Sequence, residues 1–480
     1  MSHLRAILLV GGGGGVPCPR PVAQGLQPSV QDRTVNWKSM TESKKTPARP
    51  TLKAVRGTRD LLPDQTPLWN HVEATARALF ARYGFGEIRT PIFETTELFA
   101  RGVGEETDIV SKEMFTWEDR ARAASEKAQS LTLRPESTAG VVRAYIEHKL
   151  GETGQLQKLY YIGPQFRRER PQRGRYRQFW QIGAEVIGPQ SSGSESPLRD
   201  AEILEMLASL LDELGIRDWC LELNSVGSSE DRVRYNAALR EALAPIKDQL
   251  CPDNQRRAET NPLRVLDSKD EADQDLINAL PKIADYLGPE SAAHFAQVLA
   301  ALDACGVAYH LNPRLVRGLD YYTRTTFEFT VTTGLGTQNA LLGGGRYDGL
   351  SEMLGGPKAP GIGFAIGEDR LILTLQAQAE ANGTSTAPPK LDAYVAPLTP
   401  AQNPAALALA RNLRTAGLSV EVGDGSFKLR KSFDIADTVA RQIILLGEDE
   451  VSTSIYTVKT FATGEQVKIP SADLAAKLNP

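Results

Sequence analysis

The first periodic segment of the chain lies between residues 66 and 84 and predicts an amphipathic helix. Thr66 followed by Pro67 favours a helix start, with threonine as the N-cap and proline at the first helical position. Gly84 predicts the end of the helix. Apolar residues recur at helical spacing in between, so one face should pack on a core. That face consists of Leu68, Val72, Leu79, Phe80 and Tyr83.

Residues 155–188 predict two strands joined by an arginine-rich loop. A period of two puts Gln165, Arg167 and Glu169 on one face of the first strand. The same period aligns four residues of the second strand, which are Phe179, Gln181, Gly183 and Glu185. Polar side chains beside arginines suit a buried site for a polar ligand that carries phosphate, because guanidinium binds phosphate or carboxylate with two hydrogen bonds. A solvated basic turn is the plainer alternative, common for short charge runs.

The remaining patterns divide the chain into a large and a small region. EIRTPIFE (87–94) is strand-like, and its Pro91 indicates an edge strand or an interface. Residues 197–215 predict a helix, 221–225 a strand, about 226–312 a polar helical insertion, and 313–367 further strands. Residues 378–390 are a linker by composition. Strands and helices then alternate over 391–480, which predicts a small α/β domain, whereas the region 51–377 groups its strands in hairpins and predicts an antiparallel α+β sheet.

Composition narrows the class of protein. A chain of 480 residues, 41% hydrophobic and 24% charged, is long enough for two or three globular domains. No apolar run approaches the ~20 residues that span a bilayer. The net charge of −4 argues against a uniformly basic nucleic-acid coat but leaves local patches open. The four cysteines are scattered, which favours reduced thiols in a cytoplasmic protein over disulfides or zinc, and we expect no protein-bound structural metal.

Residues 1–50 differ from the rest of the chain. Residues 1–31 contain no acidic residue and include five consecutive glycines from Gly11 to Gly15. We expect disorder here, and our preferred hypothesis is that natural translation begins at Met40. A transit peptide is the alternative, although only two arginines occur before residue 32. Mass spectrometry of the natively expressed protein tests this, and an intact terminus at Met1 or Ser2 would contradict it.

Three further segments carry candidate chemistry. They are RGLDYYTRTTFEF (317–329), the glycine-rich pair LGGGRYDGL (342–350) and GIGFAIGEDR (361–370), and LTLRPESTAG (131–140). Glycine in strands marks a bulge, tight packing or a close ligand approach. No nucleophile signature such as GxSxG occurs, which fits a reaction in which the substrate brings its own nucleophile.

These segments together resemble the class II aminoacyl-tRNA synthetases. FRRER with the following RYRQF is similar to their motif 2, GIGFAIGEDR to motif 3, and the helix and proline strand at 66–94 to motif 1, the dimer element. RGLDYY and GGRYDGL resemble the two signatures of the histidyl-tRNA synthetase family, of the bacterial type. The resemblance runs from about Gly57 to the C-terminus. It implies a mixed antiparallel catalytic sheet with a helical insertion, a C-terminal α/β anticodon-binding domain, a homodimer, and ATP, Mg²⁺, histidine and tRNA(His) as ligands.

The resemblance also implies roles for individual residues. Arg167 would hold the α-phosphate of ATP, and Arg317 would act on it from the opposite side as the second catalytic arginine. The other ATP contacts would be Arg175 on the outer phosphates, Glu169, and the adenine sandwich of Phe179 and Arg370. Histidine would be bound by Glu136, Thr138, Gln181, Glu185, Tyr321 and Tyr322, and the acceptor end of the tRNA by Arg170, Gln172 and Arg173. Lys428, Arg430 and Lys431 are candidates for the anticodon arm, although a solvated helix face explains them equally well.

The implied chemistry is consistent with these residue types. An ionised histidine carboxylate needs no general base to attack the α-phosphorus, so catalysis is alignment plus neutralisation of negative charge. Three departures affect the histidine pocket: Ser137, Trp180 and Ala184 stand where the family commonly has glycine, histidine and cysteine.

Two other functions remain open at this point. One is the regulatory subunit of ATP phosphoribosyltransferase, whose members lack the anticodon-binding domain. The other is a class II synthetase for another amino acid, such as glycine or threonine. The retained Arg167, Arg317 and Arg370 and the domain at 391–480 argue against the first, and RGLDYY with Glu185 argues against the second.

Overall fold

The structure is a computed structural model. It describes residues 51–104, 107, 109–119, 128–316, 321–336, 339–384 and 389–479. The expectations for residues 1–50 and for Arg317 lie outside these residues.

The region before residue 385 contains eleven strands and ten α-helices among the described residues, apart from short 3-10 and π turns. The strands are β1 (Gly86–Glu87), β2 (Phe93–Thr95), β3 (Phe115–Asp119), β4 (Gln129–Leu133), β5 (Gln157–Phe166), β6 (Gln178–Ile187), β7 (Trp219–Ser225), β8 (His310–Leu311), β9 (Thr323–Val331), β10 (Ala340–Arg346) and β11 (Gly361–Gly367). The helices are α1 (Thr66–Arg82), α2 (Thr96–Val103), α3 (Thr138–Glu147), α4 (Pro197–Glu213), α5 (Ser229–Leu243), α6 (Pro252–Thr260), α7 (Gln274–Asn278), α8 (Pro289–Cys305), α9 (Leu350–Met353) and α10 (Glu368–Ala381).

Eight of the strands form one mixed sheet in the order β1-β5-β6-β11-β10-β9-β7-β8. Only its two outer pairs, β1 with β5 and β7 with β8, are parallel. The predicted hairpin is confirmed: β5 and β6 pair antiparallel from Gln157 opposite Ile187 to Phe166 opposite Gln178. The predicted antiparallel α+β class is therefore confirmed as a mixed sheet that is antiparallel at its centre.

Alternation along β6 gives the sheet one apolar and one polar face. Ile182, Ala184 and Val186 join the main core, which α1, α4 and α8 cover. Burial of a large apolar side chain such as Phe80 of α1 stabilises the fold by about 1.5–3 kcal/mol. Gln181 and the residues in step with it therefore lie on the opposite face of the sheet.

Two local predictions were wrong. Thr66 is the first residue of α1 rather than its N-cap, and the N-cap Gln65 makes no side-chain capping bond. EIRTPIFE does not form one strand, because β1 and β2 lie on either side of Pro91 and belong to different sheets. Proline cannot donate to a ladder, so the chain leaves one sheet before Pro91 and enters the next after it.

The helical insertion has an apolar core of its own. Helices α5, α6 and α7 pack around Tyr235, Leu239, Val265 and Ile277. Helix α8 differs, because its Val298 and Leu302 belong to the main core. The predicted helical character is confirmed.

The C-terminal region forms a separate five-stranded sheet in the order β13-β12-β14-β15-β16. Its elements are β12 (Leu391–Pro397), α11 (Asn403–Thr415), β13 (Val420–Val422), α12 (Leu429–Val439), β14 (Ala440–Leu446), α13 (Glu448–Thr453), β15 (Ile455–Thr460), β16 (Gln466–Pro470) and α14 (Ser471–Leu478). The predicted α/β alternation is confirmed through β14. No helix of the described residues is long and apolar enough to cross a membrane.

Candidate active site

Glycines on the polar sheet face make room for buried side chains. A Cβ added to Gly363 would lie 1.7 Å from Oε2 of Glu185, and one added to Gly183 would lie 2.4 Å from the Tyr161 ring. Only glycine fits at these two positions without displacing the neighbour. The glycines at these two positions therefore allow tight packing, which was one of the three interpretations of the glycine-rich strands.

A small cavity of about 170 Å³ opens on this face of the sheet. It brings together every predicted histidine-binding residue except Glu185. The lining side chains with polar groups are Glu136, Thr138, Tyr161, Arg167, Gln181, Tyr321, Tyr322 and Tyr347. Gln181 is buried, and its Oε1 has no hydrogen-bond partner among the described residues. The wall thus offers a ligand at least one free acceptor.

Glu185 lies behind the cavity wall, fully buried. Its Oε1 accepts a hydrogen bond from Thr138 Oγ1 at 2.7 Å, and its Oε2 accepts one from Tyr347 Oη at 2.7 Å. Burial raises the pKa of Glu185 to about 8, although both hydroxyl donors oppose the rise. The carboxyl group therefore positions two hydroxyls that do line the cavity.

Glu136 lines the cavity at the start of α3. Its carboxylate accepts the backbone N–H groups of Thr138, at 2.7 Å, and Ala139, at 2.9 Å. These N–H groups have no partner within the helix, so the carboxylate satisfies them and gains from the helix dipole. Burial raises the pKa of Glu136, while the backbone donors and Arg167 act in the opposite direction. Gln165 supports the same turn by donating to Ser137 Oγ at 2.7 Å.

A larger cavity of about 470 Å³ adjoins the small one. Arg167, Gln181, Gly343 and Ala365 line both cavities, so the two share a wall. All the predicted ATP-binding residues line the large cavity, namely Arg167, Glu169, Arg175, Phe179 and Arg370.

Three of the four arginines that line the large cavity, the ones predicted to bind ATP, are held by nearby partners, and the fourth is Arg264. Arg167 donates through Nε to Pro135 O at 2.9 Å, and its guanidinium lies 5.3 Å from the ring centre of Phe179. Arg175 is 3.4 Å from the Glu169 carboxylate. Arg370 donates through Nε to the carbonyl of Ala340 at 2.8 Å, and burial together with the nearby Arg175 lowers the pKa of Arg370. Planar cations beside an aromatic ring suit a phosphate chain and a flat base.

The predicted tRNA-binding residues lie outside both cavities. Arg170, Gln172 and Arg173 are exposed in the turn between β5 and β6. The predicted common face of Gln165, Arg167 and Glu169 was only partly correct, because β5 ends at Phe166. Lys428, Arg430 and Lys431 are exposed at the start of α12.

Sequence analysis missed several residues of the site. Tyr347 and Tyr161 line the small cavity, and Asp369 of the large cavity accepts from Arg59 at 2.7 Å and from the Trp180 N–H at 3.1 Å. Tyr347 stands inside the signature GGRYDGL, whose residues carried no predicted role. Asp369 stands inside GIGFAIGEDR, where only Arg370 carried a predicted role, and no local pattern pointed to Tyr161 or Arg59.

Arg346, next to Tyr347, holds this part of the chain in place through a buried ion-pair network. Its guanidinium is fully buried and pairs with the fully buried Asp200 of α4 at 2.5 Å, with Asp348 at 2.8 Å and with Ser194 O at 3.0 Å. Burial alone would lower the pKa of Arg346, but the two carboxylates raise it above its usual value. This network ties the end of β10, directly before Tyr347, to α4 of the helix layer.

The described residues contain no group of three or more histidine, cysteine, aspartate or glutamate side chains able to hold a metal ion. Mg²⁺ in nucleotide sites is commonly bound through one or two carboxylates plus substrate phosphates, which needs no such group.

Comparison with known proteins links this site to one family. The family model described as "Histidyl-tRNA synthetase" matches residues 57–371, and the model described as "Anticodon binding domain" matches residues 392–479. A protein named histidine–tRNA ligase from Koribacter versatilis is 66% identical over 425 residues, which are 88% of this chain and 95% of that protein. One of the same name from Solibacter usitatus is 52% identical over 430 residues, or 89% of this chain and 99% of that protein.

Solved structures agree in fold. The apo histidyl-tRNA synthetase of S. aureus is 36% identical, covers 90% of this chain and 100% of its own, and superposes with a TM-score of 0.72. A Bacillus halodurans structure described as an ATP phosphoribosyltransferase regulatory subunit/histidyl-tRNA synthetase is 20% identical with a TM-score of 0.59, covering 83% of this chain and 99% of its own. At that identity it shows the fold alone.

Proposed function

Because the chain belongs to the histidyl-tRNA synthetase family and its reaction joins histidine to tRNA with ATP, we propose that the small cavity binds histidine and the large cavity binds ATP. The shared wall of the two cavities carries this proposal. It would bring the histidine carboxylate next to the α-phosphate at Arg167. Alignment of two reactants in one site lowers the barrier by removing the entropy cost of their encounter.

Activation would proceed without a general base. A carboxylate oxygen of histidine attacks the α-phosphorus, the new O–P bond forms, and the bond to the pyrophosphate oxygen breaks. Arg167 would neutralise the charge that builds on the α-phosphate oxygens, and Pro135 O holds its Nε in place beforehand. Arg317 remains the predicted partner on the opposite side. The histidyl-adenylate would then lose AMP when a hydroxyl of the tRNA 3′ end attacks its carbonyl carbon.

Histidine recognition would use the polar wall of the small cavity. The unpaired Oε1 of Gln181 and the carboxylate of Glu136 are acceptors for N–H groups of the ligand. Thr138 and Tyr347, fixed by Glu185, would complement the imidazole edge. An analogue without matching N–H groups would leave these buried acceptors unpaired. The site would therefore prefer histidine over such an analogue, in kcat/KM, by up to ~10⁴-fold.

We propose that ATP binds with Mg²⁺. Glu169 and Glu328 line the large cavity and are carboxylates of the type that Mg²⁺ accepts beside phosphate oxygens. When bound, Mg²⁺ would neutralise part of the charge on the phosphates. Omission of Mg²⁺ from an otherwise complete assay should abolish activity, and full activity in excess chelator would contradict this assignment.

The tRNA(His) acceptor end is proposed to meet the exposed turn between β5 and β6. Arg170 and Arg173 are cations suited to phosphate, and Gln172 can bond a base edge. Loss of these side chains should raise the KM for tRNA in aminoacylation and leave the tRNA-independent activation unchanged. The C-terminal sheet domain would hold the anticodon arm.

A homodimer is proposed from an exposed apolar surface on the three-stranded sheet of β2, β4 and β3. Phe93 and Trp117 are 53% and 40% exposed, with ring centres 6.0 Å apart, and Ile92 beside them is 45% exposed. Clustered apolar exposure of this kind marks an interface.

Light scattering should give twice the mass of one chain for the wild type, and Trp117→Asp should lower the measured mass toward that of one chain. Leu407→Asp, at an exposed apolar residue of α11, is the control, and a monomeric wild type would refute the dimer.

A cytoplasmic location is also proposed, since the scattered cysteines suit a reducing compartment. Cell fractionation tests it, and recovery of the protein outside the cytoplasm would contradict it.

The deciding test of function is ATP–pyrophosphate exchange without tRNA, run with each of the twenty amino acids. We expect exchange with histidine alone, because only its ring matches the polar wall of the small cavity. Exchange with glycine or threonine instead would identify another class II synthetase. No exchange with any amino acid, from folded protein, would favour the regulatory subunit.

A further inference from the structure

The wall of the large cavity includes two cations from the helical insertion. Arg264 and Lys269 lie in the segment between α6 and α7, yet both line the cavity alongside Arg175. None of the sequence motifs contains them. Both cations are therefore candidates for contacting a phosphate-bearing ligand in the large cavity.

The segment that carries Lys269 is rigidly held. The carbonyl of the preceding residue, Ser268, accepts from Arg314 at 3.2 Å and from Gln274 at 3.0 Å. The hydroxyl of Ser268 accepts from Asn254 Nδ2 at 2.6 Å. Arg314 also donates to Leu266 O at 3.1 Å. On the other side, Gln274 donates to the carbonyl of Asp270 at 2.7 Å. The backbone at Lys269 is therefore held on both sides by side chains of the insertion and of the strand connection that follows it.

The side chain of Lys269 is available for a ligand. It is exposed, and it makes no hydrogen bond or ion pair with any residue in the described part of the chain. Each of the other cations of the cavity has a partner. Arg167 and Arg175 both face Glu169, Arg370 donates to Ala340 O, and Arg264 lies 4.0 Å from the carboxylate of Asp267. Lys269 is thus an uncompensated positive charge at the wall of a site that would bind a polyanion.

We propose that Lys269, with Arg264 beside it, binds the outer phosphates of ATP and the pyrophosphate that leaves. This inference rests on the proposed function, because it assigns a further contact in the same ATP site. The outer phosphates carry most of the negative charge of ATP, whereas Arg167 is assigned to the α-phosphate. An ammonium group acts on phosphate as a point charge and needs no fixed fork geometry. The insertion would then respond to whether triphosphate is present.

The test compares binding of ATP, pyrophosphate and AMP to the full-length chain by titration calorimetry with Mg²⁺ and without histidine. Lys269→Gln should raise the Kd for ATP and for pyrophosphate about tenfold, since a charge-assisted hydrogen bond is lost. AMP, which lacks the outer phosphates, should bind as to the wild type. Lys269→Arg should restore most of the lost affinity. Lys282→Gln, at an exposed insertion lysine that lines neither cavity, is the matched control.

Two results would overturn the assignment. Wild-type ATP affinity in Lys269→Gln would mean that the lysine does not reach the phosphates. Equal loss of ATP and AMP affinity would mean that it acts on the nucleoside end or on the shape of the cavity. A wild-type chain that fails to bind ATP would instead refute the proposed function itself, and this inference with it.

Discussion

Arg167→Gln should lower the rate of histidine-dependent ATP–pyrophosphate exchange about 10³-fold. The guanidinium lies where the two cavities meet and is fixed through Pro135 O, so it would meet the charge that develops at the α-phosphate without reorganisation. Loss of one such fixed donor costs about 10²–10³ in rate, and an arginine on a transferring phosphoryl group about 10³–10⁵. The measurement is kcat for exchange at saturating ATP and histidine.

The fold should survive this change. The side chain of Arg167 donates one hydrogen bond to Pro135 O, and its contact with Glu169 is a long one of 3.8 Å. Loss of one hydrogen bond from a charged group costs about 1.5–3 kcal/mol, which is less than the roughly 5–15 kcal/mol that stabilises a typical domain. Arg217→Gln removes an exposed arginine that pairs with Asp212, neither of which lines a cavity, and it should exchange like the wild type. Exchange by Arg167→Gln within a few-fold of that control would remove Arg167 from the catalytic assignment.

Arg346→Ala should destabilise the catalytic region by about 3–5 kcal/mol. The substitution leaves Asp200, which is fully buried, without its cation, and an uncompensated buried charge is costly. Ser194 O and Asp348 lose partners at the same time. Urea denaturation at neutral pH gives the change in the free energy of unfolding.

An exposed ion pair provides the comparison for this result. Arg256→Ala breaks a surface pair with Asp253 and should cost no more than about 1 kcal/mol. The double variant of Arg346→Ala with Asp200→Asn should recover part of the loss, because the stranded carboxylate is then neutral. A cost for Arg346→Ala equal to that of Arg256→Ala would show that the buried network contributes little.

Local periodicity was sufficient to predict the hairpin that carries much of the site. The period of a strand is two, so the common face of Gln181 and Glu185 follows from the sequence once the strand is recognised. The helix at 66–82 followed from its apolar spacing in the same way. The N-cap residue of this helix was predicted one position too late. The helix begins at Thr66, and its N-cap Gln65 makes no side-chain hydrogen bond to the first turn, so the sequence held no capping signal at Gln65.

Contacts between distant parts of the chain could not be predicted from local patterns. Tyr347 reaches Glu185 across 162 residues, and Arg346 reaches Asp200 across 146. These pairings depend on the strand order β6-β11-β10, which no periodicity encodes. The position of Lys269 depends likewise on how the insertion folds back on the sheet. Composition and periodicity left the roles of individual residues open. The predicted roles came from the resemblance to a known family.

The same strand order affects synthesis of the protein. Strand β6 ends at Ile187, but its neighbour β11 begins only at Gly361, so one edge of the β5–β6 hairpin stays unpaired until the intervening chain has emerged from the ribosome. At about 5–20 residues per second this takes roughly 10–40 s. An open strand edge attracts other strands during that time. Nascent chains of this protein therefore have a defined interval in which chaperones can protect the hairpin, and it ends when β11 pairs with β6.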